Sequence, residues 1–252
     1  MSAAGQAFGI DIGGSGVKGA QVDLATGELA YERIKIATPQ PATPEAVATT
    51  VAQLVDKAAW EGPVGLTLPC VVVDGIARTA ANIDSAWIGT DARELFSRAL
   101  GGRQVVVLND ADAAGMAEDR YGAARDVDGM VILLTFGTGI GSALLHHGIL
   151  VPNTELGHIE VHGKEAEHRA ASSVKEREKL SYEKWAKQVT KVLVTIEDLF
   201  SPSVFVAGGG ISREAEQWIP LLANRTPVVP AHLRNTAGIV GAAMAVEDGI
   251  TP

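Results

Sequence analysis

Two aspartates come directly after short apolar runs, at points where a strand would end. Asp11 follows the run FGI and stands before GGSG, and Asp110 follows VVVLN and opens the segment DADAAG. A carboxylate in that position can hold a magnesium ion through water, or accept a proton from a hydroxyl group. Asp110 and Asp112 are also typical helix N-caps, and with two aspartates available one can cap the helix while the other does chemistry.

Two glycine-rich turns are candidates for phosphate binding: DIGGSGVKGA at residues 11–20 and LTFGTGIGSAL at residues 134–144. Glycine lets backbone N–H groups turn toward an anion, and hydroxyl and lysine side chains in the same turn add donors and charge. The candidate phosphate contacts are Gly13, Gly14, Ser15 and Lys18 in the first turn, and Thr135, Gly137, Thr138 and Gly139 in the second. Either turn alone fits a plain β-hairpin, but two of them favour a ligand with a chain of phosphates.

A third glycine cluster, AGGGIS at residues 207–212, follows an apolar run and precedes a helical pattern. The N-terminus of a helix is a ready site for an anion. Three glycines alone are weak evidence, but their position makes Gly208 and Gly209 further candidate phosphate contacts.

The segment from Thr154 to Ser172 combines acids with histidines. Its titratable candidates are Glu155, His158, Glu160, His162, Glu165, Glu167 and His168. Such groups could bind a metal ion, or could hydrogen-bond the hydroxyl groups of a sugar. A solvated charged loop accounts equally well for Glu160, Glu165 and His168, and less well for Glu155 and His158.

The hydrophobic pattern places these residues on an α/β framework whose plan appears twice. Apolar runs predict strands at 8–11, 17–22, 29–36, 64–68, 105–108, 130–135, 140–145 and 204–207, and helical spacing predicts helices at 45–60, 111–121, 181–199 and 237–247. Both halves open with strand, glycine turn and strand, unlike the strand–turn–helix of a Rossmann unit. We predict a smaller domain at 1–110, which helix 237–247 could join, and a larger one at 111–252, with the active site between them.

Composition and charge reduce the number of function classes that fit this chain. A net charge of −9 argues against nucleic-acid binding, and one cysteine, Cys70, allows no intramolecular disulfide. We find no signal-peptide pattern at the start and no apolar run long enough to cross a bilayer. The expected location is the cytoplasm, without a membrane partner.

Together these motifs resemble the ROK family of sugar kinases and repressors, and within it the polyphosphate glucokinase group. The segments DIGGSGVKGA, TAANID, NDADAAG, GTGIGSAL, PNTELGH and AGGGIS occur in the family's order over nearly the whole chain. The resemblance implies a duplicated α/β fold of the actin/hexokinase-like (ribonuclease H-like) class, with an active-site cleft between two domains.

The resemblance also implies a role for particular residues. The family's general base falls on Asp110, and its phosphate turns fall on the two glycine-rich turns. Its sugar ligands fall on Asn82, Glu155, His158 and, after a segment that departs from the family pattern, Glu167. Magnesium is the expected cofactor, held by Asp11 through water.

One departure from the family pattern concerns zinc. Many members follow ELGH with a cysteine cluster that binds structural zinc together with the histidine, whereas residues 163–172 contain no cysteine. We therefore expect no zinc, and a His158 that is available to the sugar. A homodimer is implied by the resemblance, with weak further support from the apolar positions of helix 181–199, which core packing explains equally well.

The implied reaction transfers the terminal phosphate of inorganic polyphosphate to the 6-hydroxyl of glucose. Lys18, Lys164, Arg169, Lys175, Arg177 and Lys179 are candidates for a cationic track along the donor, although interleaved glutamates suit a solvated helix face as well. An ATP-dependent or dual-donor gluco/mannokinase and a non-catalytic sugar-binding regulator are the alternatives. Repressors of the family carry a DNA-binding domain before the first glycine turn, and a turn that begins at Asp11 leaves no room for one.

Overall fold

The computed structural model describes residues 5–81 and 83–250, which divide into two compact units. Unit 1 comprises 5–117 and 235–250, and unit 2 comprises 118–234. Within the described ranges, no helix has the length and apolar character that crossing a membrane would require.

Unit 1 contains most of the first half of the chain. Its elements, with the helix that leads out of it, are β1 (Gln6–Gly13), β2 (Gly16–Asp23), β3 (Ile34–Ile36), α1 (Pro44–Lys57), β4 (Val64–Leu68), β5 (Val72–Val73), β6 (Ile76–Ala77), α2 (Ala92–Ala99), β7 (Val105–Asn109) and α3 (Asp110–Tyr121). The strand order is β3-β2-β1-β4-β7, with β1 and β2 antiparallel and β4 and β7 parallel to β1. Every residue of β4 and β7 is buried, so both strands are covered on both faces, even though β7 lies at the end of the sheet.

Helix α1 begins where the sequence supplies a cap and a proline. The Thr43 side chain accepts a hydrogen bond from the Ala46 N–H, and Pro44 occupies the first turn. Its apolar face packs with α2 into a core that includes Phe8, Ile10 and Leu66.

Unit 2 follows the same strand–turn–strand opening. Its elements are β8 (Met130–Phe136), β9 (Ile140–His146), β10 (Ile149–Val151), β11 (Glu160–Val161), β12 (Lys164–Glu165), α4 (Ala166–Ala170), α5 (Ser172–Arg177), α6 (Tyr182–Phe200), β13 (Val204–Gly208), α7 (Ala215–Trp218) and β14 (Val228–Pro230). The strand order is β10-β9-β8-β13-β14, with β8 and β9 antiparallel and β13 parallel to β8.

The core of unit 2 forms around aromatic rings against α6. Phe136, Trp185 and Trp218 meet pairwise edge to face, with ring centroids 4.9–5.8 Å apart. The Ser181 side chain caps α6 by accepting from the Lys184 N–H, as the sequence predicts. Because the apolar positions of α6 are buried here, they give no separate support to a dimer.

Unit 1 closes with α8 (Ala237–Glu247), which covers the sheet face opposite α1. The contact is backbone to backbone. A Cβ atom placed on Gly9 would strike the carbonyl group of Ile239, and one placed on Gly65 would strike that of Ala242. Glycine in these strand interiors therefore permits a close approach that any side chain would prevent.

The predicted elements are confirmed, with one exception. The strand predicted at 29–36 is present only as Ile34–Ile36, although Leu29 forms a bridge to Val22. The chain bends at Ala30 and Tyr31, and Tyr31 is 72% exposed. This side chain therefore finds no apolar partner that would hold a continuous strand.

The division of the chain differs from the predicted boundary at residue 110. It lies between Ala117 and Glu118, inside α3. Unit 2 ends at Arg234, and α8 belongs to unit 1, as the prediction allowed for helix 237–247, because it packs on β1 and β4.

Candidate active site

One edge of the unit 1 sheet brings Asp11 and Asp110 to the same side. β1, β4 and β7 are parallel, so their carboxyl ends meet at one edge, where ligands bind in open α/β sheets. Asp11 pairs in register with Thr67, and Asn109 with Leu68. Asp110 follows on the outer of these strands, about 10 Å from β1 at two strand spacings.

The cap of α3 is Asn109, a residue that the sequence interpretation did not consider for this role. Its side-chain oxygen accepts from the N–H groups of Ala111 at 2.8 Å and Asp112 at 3.1 Å, and its amide donates to the Cys70 carbonyl at 3.1 Å. Asp110 also accepts from the Ala111 N–H, at 2.9 Å, while remaining partly exposed, whereas Asp112 is buried. Of the two aspartates, Asp110 is therefore the one within reach of a ligand.

Asp11 lies at the mouth of the first glycine turn with both carboxylate oxygens engaged. One oxygen is 3.1 Å from the Lys18 ammonium, and the other accepts from the Thr67 hydroxyl at 3.2 Å. A single, partly exposed carboxylate suits magnesium, which keeps most of its waters and is usually completed by substrate phosphates. The residues present are thus compatible with a magnesium ion held through water at Asp11.

The first glycine turn is open above its backbone. A Cβ atom on Gly14 would meet nothing within 4 Å, and Ser15 beside it is exposed. The Thr38 hydroxyl donates to the Gly13 carbonyl and fixes the turn from below. Since packing does not require glycine at position 14, its missing side chain leaves room for an anion to approach the backbone N–H groups.

Next to this turn is a cavity of about 260 Å³. Its lining includes Gly13, Gly14, Thr38, Asp84 and Trp87. The predicted sugar ligand Asn82 lies outside the described residues.

The second glycine turn connects the antiparallel strands β8 and β9 of unit 2. Thr135 stands in register with Gly208 of β13, so two of the predicted phosphate segments share one sheet edge. A Cβ atom on Gly137 would meet nothing within 4 Å. At Gly209, φ is +82° and a Cβ atom would strike the Phe136 backbone, so only glycine fits there.

The α5 segment holds the second turn in place. The Ser172 hydroxyl donates to the Gly137 carbonyl at 3.1 Å, and the Ser173 hydroxyl donates to the Thr138 carbonyl at 2.7 Å. The sequence interpretation missed both serines, because nothing in their spacing indicates a contact with a turn 35 residues earlier.

The acids and histidines of unit 2 gather beside this turn. The His158 ring lies 3.9 Å from Glu155 and 4.0 Å from Glu167, and Glu167 also accepts from the Ile140 N–H at 3.4 Å. The structure thus brings all three sugar ligands predicted in this unit together. Glu165, which sequence reasoning left to a solvated loop, contacts the same ring at 3.2 Å.

Burial and charge both shift the titration of this cluster. Burial raises the pKa of Glu155 above its ordinary value, while His158 lowers it and Glu167 raises it. The hydrogen bond that the His158 ring donates to Glu165 raises the pKa of His158, partial burial opposes this, and the charges of Glu167 and Glu155 add to the rise. Such shifted groups are typical of functional sites, although ion-pair networks produce them too.

Metal binding at this cluster is a separate question. One ligating atom each from His158, Glu165 and Glu167 lie within 4.8 Å of one another, a spacing that can suit a cation. Ion-pair contacts of His158 with Glu165 and Glu167 account for this spacing without a metal ion. That the protein holds no zinc therefore stays a prediction.

Part of the predicted cationic track has other partners. The Arg169 guanidinium donates to the carbonyl groups of Val161 and His162 and to the Gln188 side chain, so its role is structural. The Lys175 ammonium lies 4.1 Å from the centre of the Tyr182 ring. Arg177 is 3.5 Å from Glu178.

Comparison with known proteins decides the family. The model of the ROK family matches residues 7–171, which include both glycine turns, Asp110 and the whole acid–histidine cluster. The chain belongs to the ROK family. Solved structures of this family share its actin/hexokinase-like fold, as the sequence predicts.

Several ROK relatives cover nearly the whole chain. A polyphosphate glucokinase of Mycobacterium tuberculosis is 65% identical over 238 residues, which are 94% of this chain and 90% of the relative. A polyphosphate glucokinase of Mycobacterium leprae is 62% identical over 97% of this chain and 75% of its own length.

Two solved ROK structures resemble this one closely. The inorganic polyphosphate/ATP-glucomannokinase of Arthrobacter sp. strain KM is 48% identical, with a TM-score of 0.91 over 97% of this chain and 99% of that one. A ROK family glucokinase from Streptomyces griseus, in complex with glucose and AMPPNP, is 25% identical, with a TM-score of 0.82 over 97% of this chain and all of its own.

Proposed function

We propose that this protein is a polyphosphate-dependent glucokinase, a phosphotransferase that moves the terminal phosphate of inorganic polyphosphate to the 6-hydroxyl of glucose. The observation that carries the proposal is 65% identity over 94% of the chain to a polyphosphate glucokinase. The glycine turns support it, because a Cβ atom on Gly14 of unit 1 or on Gly137 of unit 2 would meet nothing within 4 Å, which leaves room for a phosphate in each turn. The test is glucose 6-phosphate formation from glucose and polyphosphate by the purified protein.

The residues of the site would act by alignment and proton transfer. Asp110 accepts the proton of the glucose 6-hydroxyl as that oxygen attacks the terminal phosphorus, and the shortened polyphosphate leaves. Asn82, Glu155, His158 and Glu167 hydrogen-bond the other hydroxyl groups, so that the 6-hydroxyl points at the phosphate. The backbone N–H groups of the two glycine turns, together with Gly208 and Gly209, hold the phosphate oxygens.

Magnesium belongs to the same proposal. Bound at Asp11 through water, the ion would neutralise charge on the donor phosphates. Lys18, whose ammonium contacts Asp11, would move toward the donor when phosphates arrive. Omitting magnesium and adding a chelator should abolish turnover.

A cytoplasmic location and a homodimer complete the proposal. For the dimer, the edge strand β10 exposes Ile149 by 72% and Val151 by 46%, and an exposed apolar edge strand can pair with another chain. Light scattering at micromolar concentration tests the dimer, and a stable monomer would refute it.

Polyphosphate should be preferred to ATP as donor. A polyanion gains from contacts with cations along its length, and these contacts weaken as salt screens them. The KM for polyphosphate should therefore rise more steeply with sodium chloride than the KM for glucose. Lys18→Gln should raise the KM for polyphosphate by about tenfold, the usual order for a lost charge-assisted hydrogen bond, and leave glucose affinity unchanged. Lys57→Gln, at the end of α1, is a matched control.

The donor comparison has a clear opposing outcome. Equal or better kcat/KM with ATP would overturn the donor assignment and leave the sugar kinase standing, as a dual-donor or ATP-dependent enzyme. A chain that binds glucose in calorimetry but turns over with neither donor would be a sugar-binding regulator instead.

Glucose affinity should fall in mild acid because of Glu155. When ionised, this carboxylate accepts hydrogen bonds from the sugar at both oxygens, and protonation turns one of these acceptors into a donor. Burial raises the pKa of Glu155, so it protonates at a higher pH than an ordinary glutamate. The glucose Kd should therefore increase as the pH falls through that raised pKa. The glucose Kd is measured by calorimetry in the Asp110→Asn background, so that protonation of the general base does not contribute to its pH dependence. In the double variant Asp110→Asn/Glu155→Gln, glucose should bind weakly and the Kd should no longer increase in acid. If the Kd of the double variant still increases in acid as before, a group other than Glu155 causes the pH dependence.

A further inference from the structure

Glu165 lies on a small hairpin that stands against His158. β11 and β12 pair over two residues each, with Glu165 opposite Glu160. One carboxylate oxygen of Glu165 is 3.2 Å from His158 Nδ1 and 3.6 Å from His168 Nδ1. The hairpin thus brings a third carboxylate to a ring that already faces Glu155 and Glu167.

The distances distinguish the three carboxylates. Among the residues that the structure describes, Glu165 is the carboxylate within hydrogen-bond distance of His158, since Glu155 is 3.9 Å and Glu167 4.0 Å away. Glu155 faces Nε2, whereas Glu165 faces Nδ1. The two ring nitrogens therefore have different neighbours.

The backbone around Glu165 is fixed from two sides. The Arg169 guanidinium donates to the carbonyl groups of Val161 and His162 at the hairpin turn, and to Gln188 of α6. The Ala166 N–H donates to the Ile159 carbonyl at 2.9 Å. These hydrogen bonds hold the hairpin against α4 and α6, so that the backbone position of Glu165 is fixed.

His158 needs such a partner because its side chain is 50% exposed. An imidazole without a fixed contact can rotate and can carry its proton on either nitrogen. A proton on Nδ1 that is donated to Glu165 leaves Nε2 to accept a hydrogen bond in the neutral ring. Glu167 is held differently, because its carboxylate accepts from the Ile140 N–H beside the second glycine turn.

We propose that Glu165 is a positioning residue for glucose, holding the His158 ring by its Nδ1–H so that Nε2 points to a sugar hydroxyl. The inference rests on the proposed function and deepens it, since it adds a residue that fixes the sugar-binding histidine without touching the sugar. It also gives a role to the half-buried glutamate that stands opposite Glu160 on a strand of two residues.

The test compares Glu165→Ala and Glu165→Gln with the matched control Glu160→Ala, which removes the cross-strand partner of Glu165 from the same hairpin. Glu165→Ala should raise the KM for glucose by about three- to tenfold, the usual order for one hydrogen bond to a charged group, with kcat within about twofold. Glu165→Gln, whose amide oxygen still accepts from Nδ1–H, should fall between wild type and alanine. Glu160→Ala should behave as wild type.

Other outcomes separate positioning from a structural role. If Glu165 only stabilised the fold, alanine would lower kcat through a smaller active fraction and leave the KM unchanged. If the cluster held a metal ion, metal analysis would find a stoichiometric ion in wild type that is lost in Glu165→Ala. Either result would overturn the proposal.

A spectroscopic measurement tests the inference without turnover. Nitrogen-15 spectra of the six histidines, with His158 assigned from His158→Gln, report which ring nitrogen carries the proton. At a pH above the raised pKa of His158, where the ring is neutral, wild type should show the Nδ1–H form, and Glu165→Ala a mixture of tautomers. The same tautomer in both proteins would refute the role of Glu165. Absence of glucose phosphorylation by wild type would instead refute the proposed function, and this spectrum would still stand on its own.

Discussion

Asp110→Asn should lower kcat by about 10²–10⁴-fold, the range that a general base contributes, while the glucose Kd changes by less than about threefold. An asparagine keeps the shape of the side chain and its bond to the Ala111 N–H, but it cannot accept the proton of the 6-hydroxyl. Steady-state kinetics with polyphosphate give kcat, and calorimetry gives the affinity. Because Asn109 provides a separate cap, α3 should stay folded in the variant.

A matched control lies on the same helix. Asp119→Asn removes a partly buried carboxylate from α3 more than two turns beyond Asp110, and it should leave kcat within about twofold because this position is far from the sheet edge that holds Asp11 and Asp110. A near wild-type kcat in Asp110→Asn would assign the proton transfer to another group. A large rise in the glucose Kd would show that Asp110 acts mainly in sugar binding.

Gly65→Ala should destabilise the protein by about 3 kcal/mol, at the upper end of what overpacking usually costs. The new methyl group would strike the Ala242 carbonyl group, and since this obstacle is helix backbone, it cannot rotate aside. Chemical denaturation followed by circular dichroism measures the loss, with the mutant and wild type compared at equal denaturant slope.

Gly210→Ala is the control for this substitution. A Cβ atom at Gly210 would meet nothing within 4 Å, so the free energy of unfolding should change by less than about 0.5 kcal/mol. A small effect at Gly65 would mean that α8 shifts readily on the sheet, and the close packing would then not be needed for stability.

The local sequence pattern correctly predicted the structural features that depend on residues close together in the sequence. The strands around both glycine turns, the cap of α6 at Ser181 and the helix after Asp110 all follow from runs, spacing and cap chemistry. The positions of Asp11 and Asp110 at one sheet edge follow too, because parallel strands end on the same side.

The features that the sequence did not predict depend on residues far apart in the chain. Ser172 contacts Gly137 only because α5 folds back on the second turn. Asn109 caps α3 while its side-chain amide donates a hydrogen bond to the Cys70 carbonyl. Glu165 looked like a solvated residue because exposed glutamates are common, and its partner His158 becomes a neighbour only through the hairpin. Glycines inside the strands β1 and β4 did offer a signal for the packing of α8, since interior glycine marks a close approach of backbone.

The packing of α8 has a consequence for the order in which the protein folds during synthesis. Residues 118–234 leave the ribosome as one uninterrupted stretch, whereas the sheet of unit 1 waits for residues 237–247 to cover Gly9 and Gly65. Chains usually complete their N-terminal domain first as they emerge. Here β1 and β4 are made before unit 2, but the face that carries Gly9 and Gly65 can be buried only after α8, which follows unit 2, has emerged.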